Sequence, residues 1–253
     1  MAARLQALVA RADQLLEPER FRDYCPNGLQ VEGRAEVARL ACAVTANQSV
    51  LDEAAAWGAD ALLVHHGYFW RGEDAVVTGM KRRRLGTLLA ADMSLLAYHL
   101  PLDAHPQLGN NAELGRLLTI GDMAPLHADP ADGVGAVGSL AAPVAAAALA
   151  ERLAALTGRA PLHVGEPAAP VSRVAWCTGA AQGYLAAAAA AGADAYITGE
   201  VSEPTVHTAR ELGIHFYAAG HHATERYGVQ ALGRVLAREF DLDWRFFDCD
   251  NPA

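Results

Sequence analysis

The chain has 253 residues, 52% hydrophobic, 19% charged and 7% aromatic, enough apolar material for one large domain or two small ones. That balance excludes disorder as a description of the whole. With 20 Lys+Arg against 29 Asp+Glu the net charge is -9, so the basic footprint behind non-specific nucleic-acid affinity is missing.

In chain order, MAARLQALVARADQLLEPERF scatters Arg and Glu through an amphipathic pattern and predicts a first helix rather than a signal peptide. Short β-like runs then alternate with stretches of helical spacing. The predicted strands are residues 40–45, 61–65, 94–99, 134–140, 171–178, 193–198, 214–218 and 244–248. Helices over 48–57, 81–91 and 143–156 fall between them, the last opening on Pro143, where a helix loses no hydrogen bond to proline. Strands spaced by such helices predict an α/β class with mixed, largely parallel sheets. Runs such as ALLV and LLAY fit strands covered on both faces, and polar chemistry then collects at strand carboxyl ends. The Pro-, Asp- and Gly-rich stretch DMAPLHADPADGV, residues 122–134, predicts a connection between two α/β halves, 1–125 and 126–253.

Several chemistries drop out early. Lys81 is the only lysine, which leaves almost nothing for Schiff-base formation, and the run Lys81-Arg82-Arg83-Arg84 reads as a solvated helix face rather than a phosphate site. The four cysteines, Cys25, Cys42, Cys177 and Cys249, lie far apart with no C-x-x-C pair, so no disulfide framework or zinc ribbon is expected. The charge-free window 174–193 contains Thr178-Gly179 and Gln182-Gly183, and reads as strand, turn and Ala-rich helix rather than a membrane span. A cytoplasmic protein is expected.

The ten histidines carry the strongest signal. His65-His66-Gly67 follows an apolar run; adjacent strand residues face opposite ways, so both imidazoles meet one site only where the strand ends or turns. His99-Leu100-Pro101-Leu102-Asp103-Ala104-His105 closes a second run, and Pro101 biases it toward a strand-to-loop exit instead of a helix. Asp103 there is either a metal ligand or the organiser of the turn. Gly220-His221-His222-Ala223-Thr224-Glu225 opens a helix, with His221 and Glu225 four apart on one face. Glu225 also suits a first helical turn for the dipole alone. Taken together, the clusters make a nitrogen/oxygen donor set suited to two borderline divalent ions. No cysteine joins it, which argues against a closed structural zinc site.

These segments carry a family resemblance. DYCPNGLQV at 23–31, VHHGYFW at 64–70, HLPLDAHPQLGNN at 99–111, WCTGAAQGYL at 176–185, ITGEVSE at 197–203, AAGHHATERYG at 218–228 and the terminal DCDNPA occur in order. The chain resembles, over essentially its whole length, the NGG-interacting-factor-three-like family, close to its bacterial YbgI-type branch. Members are often labelled GTP cyclohydrolase type 2 homologue or dinuclear metal centre protein. The resemblance implies two linked α/β halves enclosing a two-metal site, with the C-terminal segment returning to it, assembled as a toroidal homohexamer. It implies His65, His66, Asp103, His221 and Glu225 as ligands: His66 and Asp103 on one ion, His65 and His221 on the other, Glu225 bridging. His99 and His222 are the implied proton-handling groups, while Thr45, Thr198 and Glu200 border the site. Zn, Mn, Fe, Ni or Co would satisfy the set.

Three functions use these residues. One is a metal-dependent hydrolase of cyclohydrolase or phosphoester type, acting on a small molecule such as a nucleotide. GTP enters through the family label alone, since no phosphate-cradling glycine motif is visible. A metal carrier or insertase needs exchangeable ions and no base. A structural metal needs neither.

Overall fold

The computed structural model describes residues 2–128 and 134–253. Its elements, in order, begin with β1 (Ala3–Arg4), α1 (Leu5–Leu16), β2 (Gly28–Val31), β3 (Glu36–Val37), β4 (Arg39–Thr45), α2 (Gln48–Trp57), β5 (Ala61–His66), α3 (Gly79–Ala90), β6 (Ser94–Ala97) and α4 (Leu100–Ala104). There follow α5 (Asn110–Leu117), β7 (Ile120–Pro125), β8 (Ala136–Ala145), α6 (Ala146–Thr157), β9 (Leu162–Val164), β10 (Pro170–Trp176), α7 (Leu185–Ala190) and β11 (Ala195–Thr198). The chain ends with α8 (Glu203–Leu212), β12 (His215–Ala218), α9 (His221–Thr224), α10 (Arg226–Phe240) and β13 (Asp243–Phe246).

The chain divides into two compact units, Met1–Leu102 with Gly228–Asp250, and Asp103–Tyr227 with Asn251–Ala253. The first is built on a five-stranded sheet in the order β13-β4-β5-β6-β2. Its first four strands are parallel, and β2 closes the edge antiparallel. Residues 40–44 of β4 are all buried, as expected of a strand covered on both faces. Buried Leu5, Leu8, Ala12 and Leu16 recur at helical spacing along α1, which stops at Glu17 in the left-handed region with Pro18 behind it. Helix α2 starts where the Asn47 side chain accepts the Val50 N–H, and ends at Gly58 with φ 78°. The core joins Val50, Leu51, Leu62, Val64, Leu88 and Leu95.

The second unit has a six-stranded mixed sheet, β7-β8-β10-β11-β12-β9. Its centre, β10-β11-β12, is parallel, and the outer pairs are antiparallel. Trp176, fully buried, donates its indole N–H to the Asn111 carbonyl and packs with Leu114, Leu149, Val174 and Tyr217. The α/β class with mixed, largely parallel sheets is therefore the architecture seen.

Four details differ from the reading of the sequence. The 122–134 stretch is not simply a connection, because Ile120–Pro125 is strand β7, paired with β8; residues 129–133 lie outside the described residues. The chain passes between units after Leu102, not near 125, because α5 and β7 belong with the second unit, while most of α10 and β13 return to the first. Pro143 lies in β8, not at a helix start; it falls in the irregular stretch between the Ser139↔Arg173 and Val144↔Val171 pairs, where a strand tolerates proline. Pro101 sits inside α4 rather than in a loop. Proline is permitted in a first helical turn, and the Leu100 N–H finds its acceptor in Asp23 Oδ2 at 2.9 Å. Among the described residues no helix is long and apolar enough to cross a membrane.

Helix α10 packs so closely on β4 that a Cβ at Gly233 would run into the fully buried Cys42 Sγ. Gly233→Ala should therefore destabilise by about 1–3 kcal/mol in urea unfolding, despite alanine's better helix propensity. Adding Cys42→Ala should recover most of that loss; additive losses in the double variant would show that the crowding lies elsewhere.

Candidate metal centre

In the first unit the imidazoles lie at the carboxyl ends of β5 and β6. His65 is fully buried, and its Nδ1 lies 3.0 Å from the Tyr98 carbonyl, so Nδ1 carries the hydrogen and Nε2 the lone pair. His66, where β5 ends, sets its Nδ1 3.1 Å from Thr45 Oγ1. His99, just beyond β6, sets its Nδ1 2.7 Å from Asp23 Oδ1. One ring nitrogen from each of His65, His66 and His99 falls within 4.8 Å of the others. The Trp70 ring meets His99 edge-on at 5.0 Å.

The DYCPNGLQV segment proves to be the frame for these rings. Asp23 Oδ2 accepts from the Asn27 amide at 2.9 Å as well as from Leu100 N, and Asn27 Oδ1 accepts the His99 N–H at 2.7 Å. Burial raises the Asp23 pKa, but the bond to His99, its charge and the other donors outweigh that and hold the carboxyl at about 2. Gln30 Oε1 accepts the Tyr68 N–H at 2.7 Å, fixing the turn after His66; a Cβ at Gly67 would collide with that Gln30 side chain. Cys25 is nearer than expected: Asp23, Cys25 and His99 each offer a donor atom within 4.8 Å of the others. Burial, then Asp23, pushes this thiol up to about 12, so it stays protonated and is a poor ligand.

In the second unit Asp103 and Glu225 are buried carboxylates, 5% and 3% exposed. Asp103 Oδ1 accepts from Asn110 Nδ2 at 2.9 Å and from Thr178 Oγ1 at 3.3 Å, while Asn111 holds the Asp103 carbonyl and the Thr178 N–H. Asp103 thus organises its turn and presents a carboxylate as well. His221 Nε2 lies 3.1 Å from Glu225 Oε2, and its Nδ1 lies 2.6 Å from Glu200 Oε1. Burial lowers the His221 pKa, yet the bonds and charges of Glu225 and then Glu200 raise it to about 9. Gly179, at φ 72°, is cut away where a Cβ would strike Glu225. Thr198 Oγ1 donates to the Gly179 carbonyl at 3.0 Å and so shapes that turn. His222, also expected to handle protons, is buried in α9.

This donor chemistry fits divalent cations. His65 Nδ1 meets a carbonyl and His221 Nδ1 a carboxylate, so each donates its Nδ1–H and turns Nε2 toward the position a cation would take, in the manner of metal-ligating histidines; the Thr45 hydroxyl holds the His66 ring at Nδ1. Burying Asp103 and Glu225 is costly unless positive charge compensates, and the raised pKa of His221 shows a field that favours it. Residues that sequence reasoning did not weigh are Asp23 as the His99 partner, and Asn27, Gln30 and Thr178 as holders. Their only signal was membership of the quoted segments.

A curated relative from Pseudomonas aeruginosa named "GTP cyclohydrolase 1 type 2 homolog" is 56% identical over 253 residues, covering 100% of both chains. The solved structure described as "Structural genomics, protein ybgI, unknown function" has a TM-score of 0.94 at 51% identity, covering 99% of this chain and 100% of that one. TTHA1606 from Thermus thermophilus has a TM-score of 0.90 at 35% identity over 99% of this chain and 100% of its own. The family model matches residues 3–252, and the chain belongs to the Duf34/NIF3 (NGG1p interacting factor 3) family.

Proposed function

We propose that the protein is a cytoplasmic, homohexameric, dinuclear metal-dependent hydrolase of cyclohydrolase or phosphoester type, acting on a small molecule such as a nucleotide. Its ligands in this reading are His65, His66, Asp103, His221 and Glu225, with Glu225 shared by both ions. The observation that carries it is the common orientation of the imidazoles: His65, His66 and His221 each have Nδ1 engaged by oxygen. Two such ions supply Lewis acidity and an acidified water at neutral pH.

The remaining chemistry belongs to the chain. Asp23, held at about 2, is ionised at neutral pH and takes the Nδ1–H of His99, so His99 Nε2 is the atom that accepts and returns a proton. In this reading His222 is a second proton-handling group. The name shared by the curated relatives supports a cyclohydrolase-type reaction, although a family name does not fix a reaction.

Metal content per subunit, measured by mass spectrometry after purification without chelator or nickel resin, tests the centre. Wild type should carry about two ions. Glu225→Ala should lose most of both, and His65→Ala chiefly one. Equal losses from the two variants would break the assignment, and a folded wild type that takes up no divalent ion would end the metal reading. Cys25→Ser should leave the content unchanged.

Turnover is tested separately with GTP and generic phosphoesters on metal-loaded protein. Asp23→Asn should keep its metal but lower kcat by about 10²-fold or more, the usual scale for a misoriented acid–base group. Folded, loaded wild type that leaves every substrate intact would favour the carrier.

A further inference from the structure

Within the second unit a cavity of about 160 Å³ lies between the turn after α4 and the β7–β8 hairpin. Asp103 forms part of its wall, and most of the rest is apolar, with Pro106, Ala112 on α5, and Met123 and Ala124 on β7. The imidazoles of His105 and His127 also line it.

These walls are held by contacts of the chain itself. His105 Nδ1 accepts the N–H groups of Gln107 at 3.2 Å and Leu108 at 3.0 Å, which fixes the ring with its hydrogen on Nε2. His127 stands edge-on to Tyr184 at 4.7 Å. Met123 packs over α5 where Gly115 leaves room, since a Cβ there would strike its sulfur. Asn111 holds both the Asp103 carbonyl and the Thr178 N–H. The cavity is preformed, so an occupant loses little to ordering it.

Size, charge and lining narrow what fits. About 160 Å³ is the scale on which an apolar cavity takes one benzene-sized ring. Among the described residues no lysine or arginine lines it, and Asp103 is acidic, so a phosphate or carboxylate group is disfavoured there. A thioether and two imidazoles favour an aromatic occupant through sulfur–ring and ring–ring contacts.

We propose that this cavity receives one uncharged aromatic or heteroaromatic ring of the substrate and directs the bond to be hydrolysed toward Asp103. The proposal rests on the reading of Asp103 as a ligand of the hydrolytic centre. It narrows the substrate class to molecules with a single neutral ring beside the reacting group, and it places any phosphate outside the cavity.

Fluorine NMR with 4-fluorophenol as the probe tests this in wild type, Ala124→Phe and Glu225→Ala, each confirmed as folded by circular dichroism. Wild type and Glu225→Ala should bind the probe alike and saturably. In Ala124→Phe, where the new ring occupies the cavity, Kd should rise about 10-fold or more. Cyclohexanol, of similar size but not aromatic, should displace the probe about 10-fold less well than phenol does. No saturable binding to wild type, or unchanged binding in Ala124→Phe, would overturn the site. Loss of binding in Glu225→Ala would put the probe on the metal instead and overturn it equally, while equal displacement by cyclohexanol would overturn the aromatic class. Should Ala124→Phe fail to fold, Ala112→Phe fills the cavity from α5 in the same comparison. A failed hydrolase reading appears differently, as wild type that binds the ring and carries metal yet hydrolyses no ring-bearing ester or amide.

Discussion

Charge burial sets the terms of the second unit. Asp103 and Glu225 lie almost wholly out of water, Glu225 directly after α9. An isolated buried carboxylate shifts its pKa or acquires a partner, because desolvation alone costs several kcal/mol. The neighbourhood answers with hydrogen bonds from Asn110 and Thr178, with His221 drawn to about 9, and with a glycine at 179 that yields its space to Glu225. Even the thiol of Cys177 feels this negative field: burial, then Asp103 and Glu225, raise it well above its usual range. A site that holds a proton so firmly on an imidazole is one into which a divalent cation can be exchanged.

The first unit solves a different problem, which is orientation. Neutral imidazoles cost less to bury than carboxylates, but a rotating ring presents the wrong nitrogen half the time. Each ring here is pinned through Nδ1: His65 by a backbone carbonyl, His66 by a threonine, His99 by a carboxylate. The pins come from neighbouring strands and from the 23–31 segment, so sheet register and ring orientation are set together.

Much of this was legible in the sequence, because its strongest signals are local. Residues 40–45, 61–65 and 214–218 read as buried strands, since apolar runs bounded by polar turns have few other uses. Histidines directly after such runs point to strand carboxyl ends, and His65, His66 and His221 stand there. Long-range features were not legible. Strands β1, β3 and β9 are two or three residues long and exist through their partners. Strand β7 was hidden in a stretch whose Pro and Asp suggested a loop, because edge pairing with β8 overrides local propensity. Asp23 and His99 are 76 positions apart, a separation at which spacing says nothing about contact.

Both units contain a carboxylate–imidazole pair, and the settings of the two differ. Asp23–His99 spans 2.7 Å with the Asp23 side chain 4% exposed; Glu200–His221 spans 2.6 Å with Glu200 40% exposed. An exposed partner is screened by water and salt and loses entropy to hold its geometry, so Glu200 biases His221 without locking it. Asp23 has several donors and little solvent, and so holds one tautomer of His99. Locking suits a group that must take and return a proton along a fixed line. The exposed Glu200 leaves His221 freer to turn, so in the proposed centre its Nε2 could adjust to a cation, whereas His65 would be held by its buried carbonyl partner.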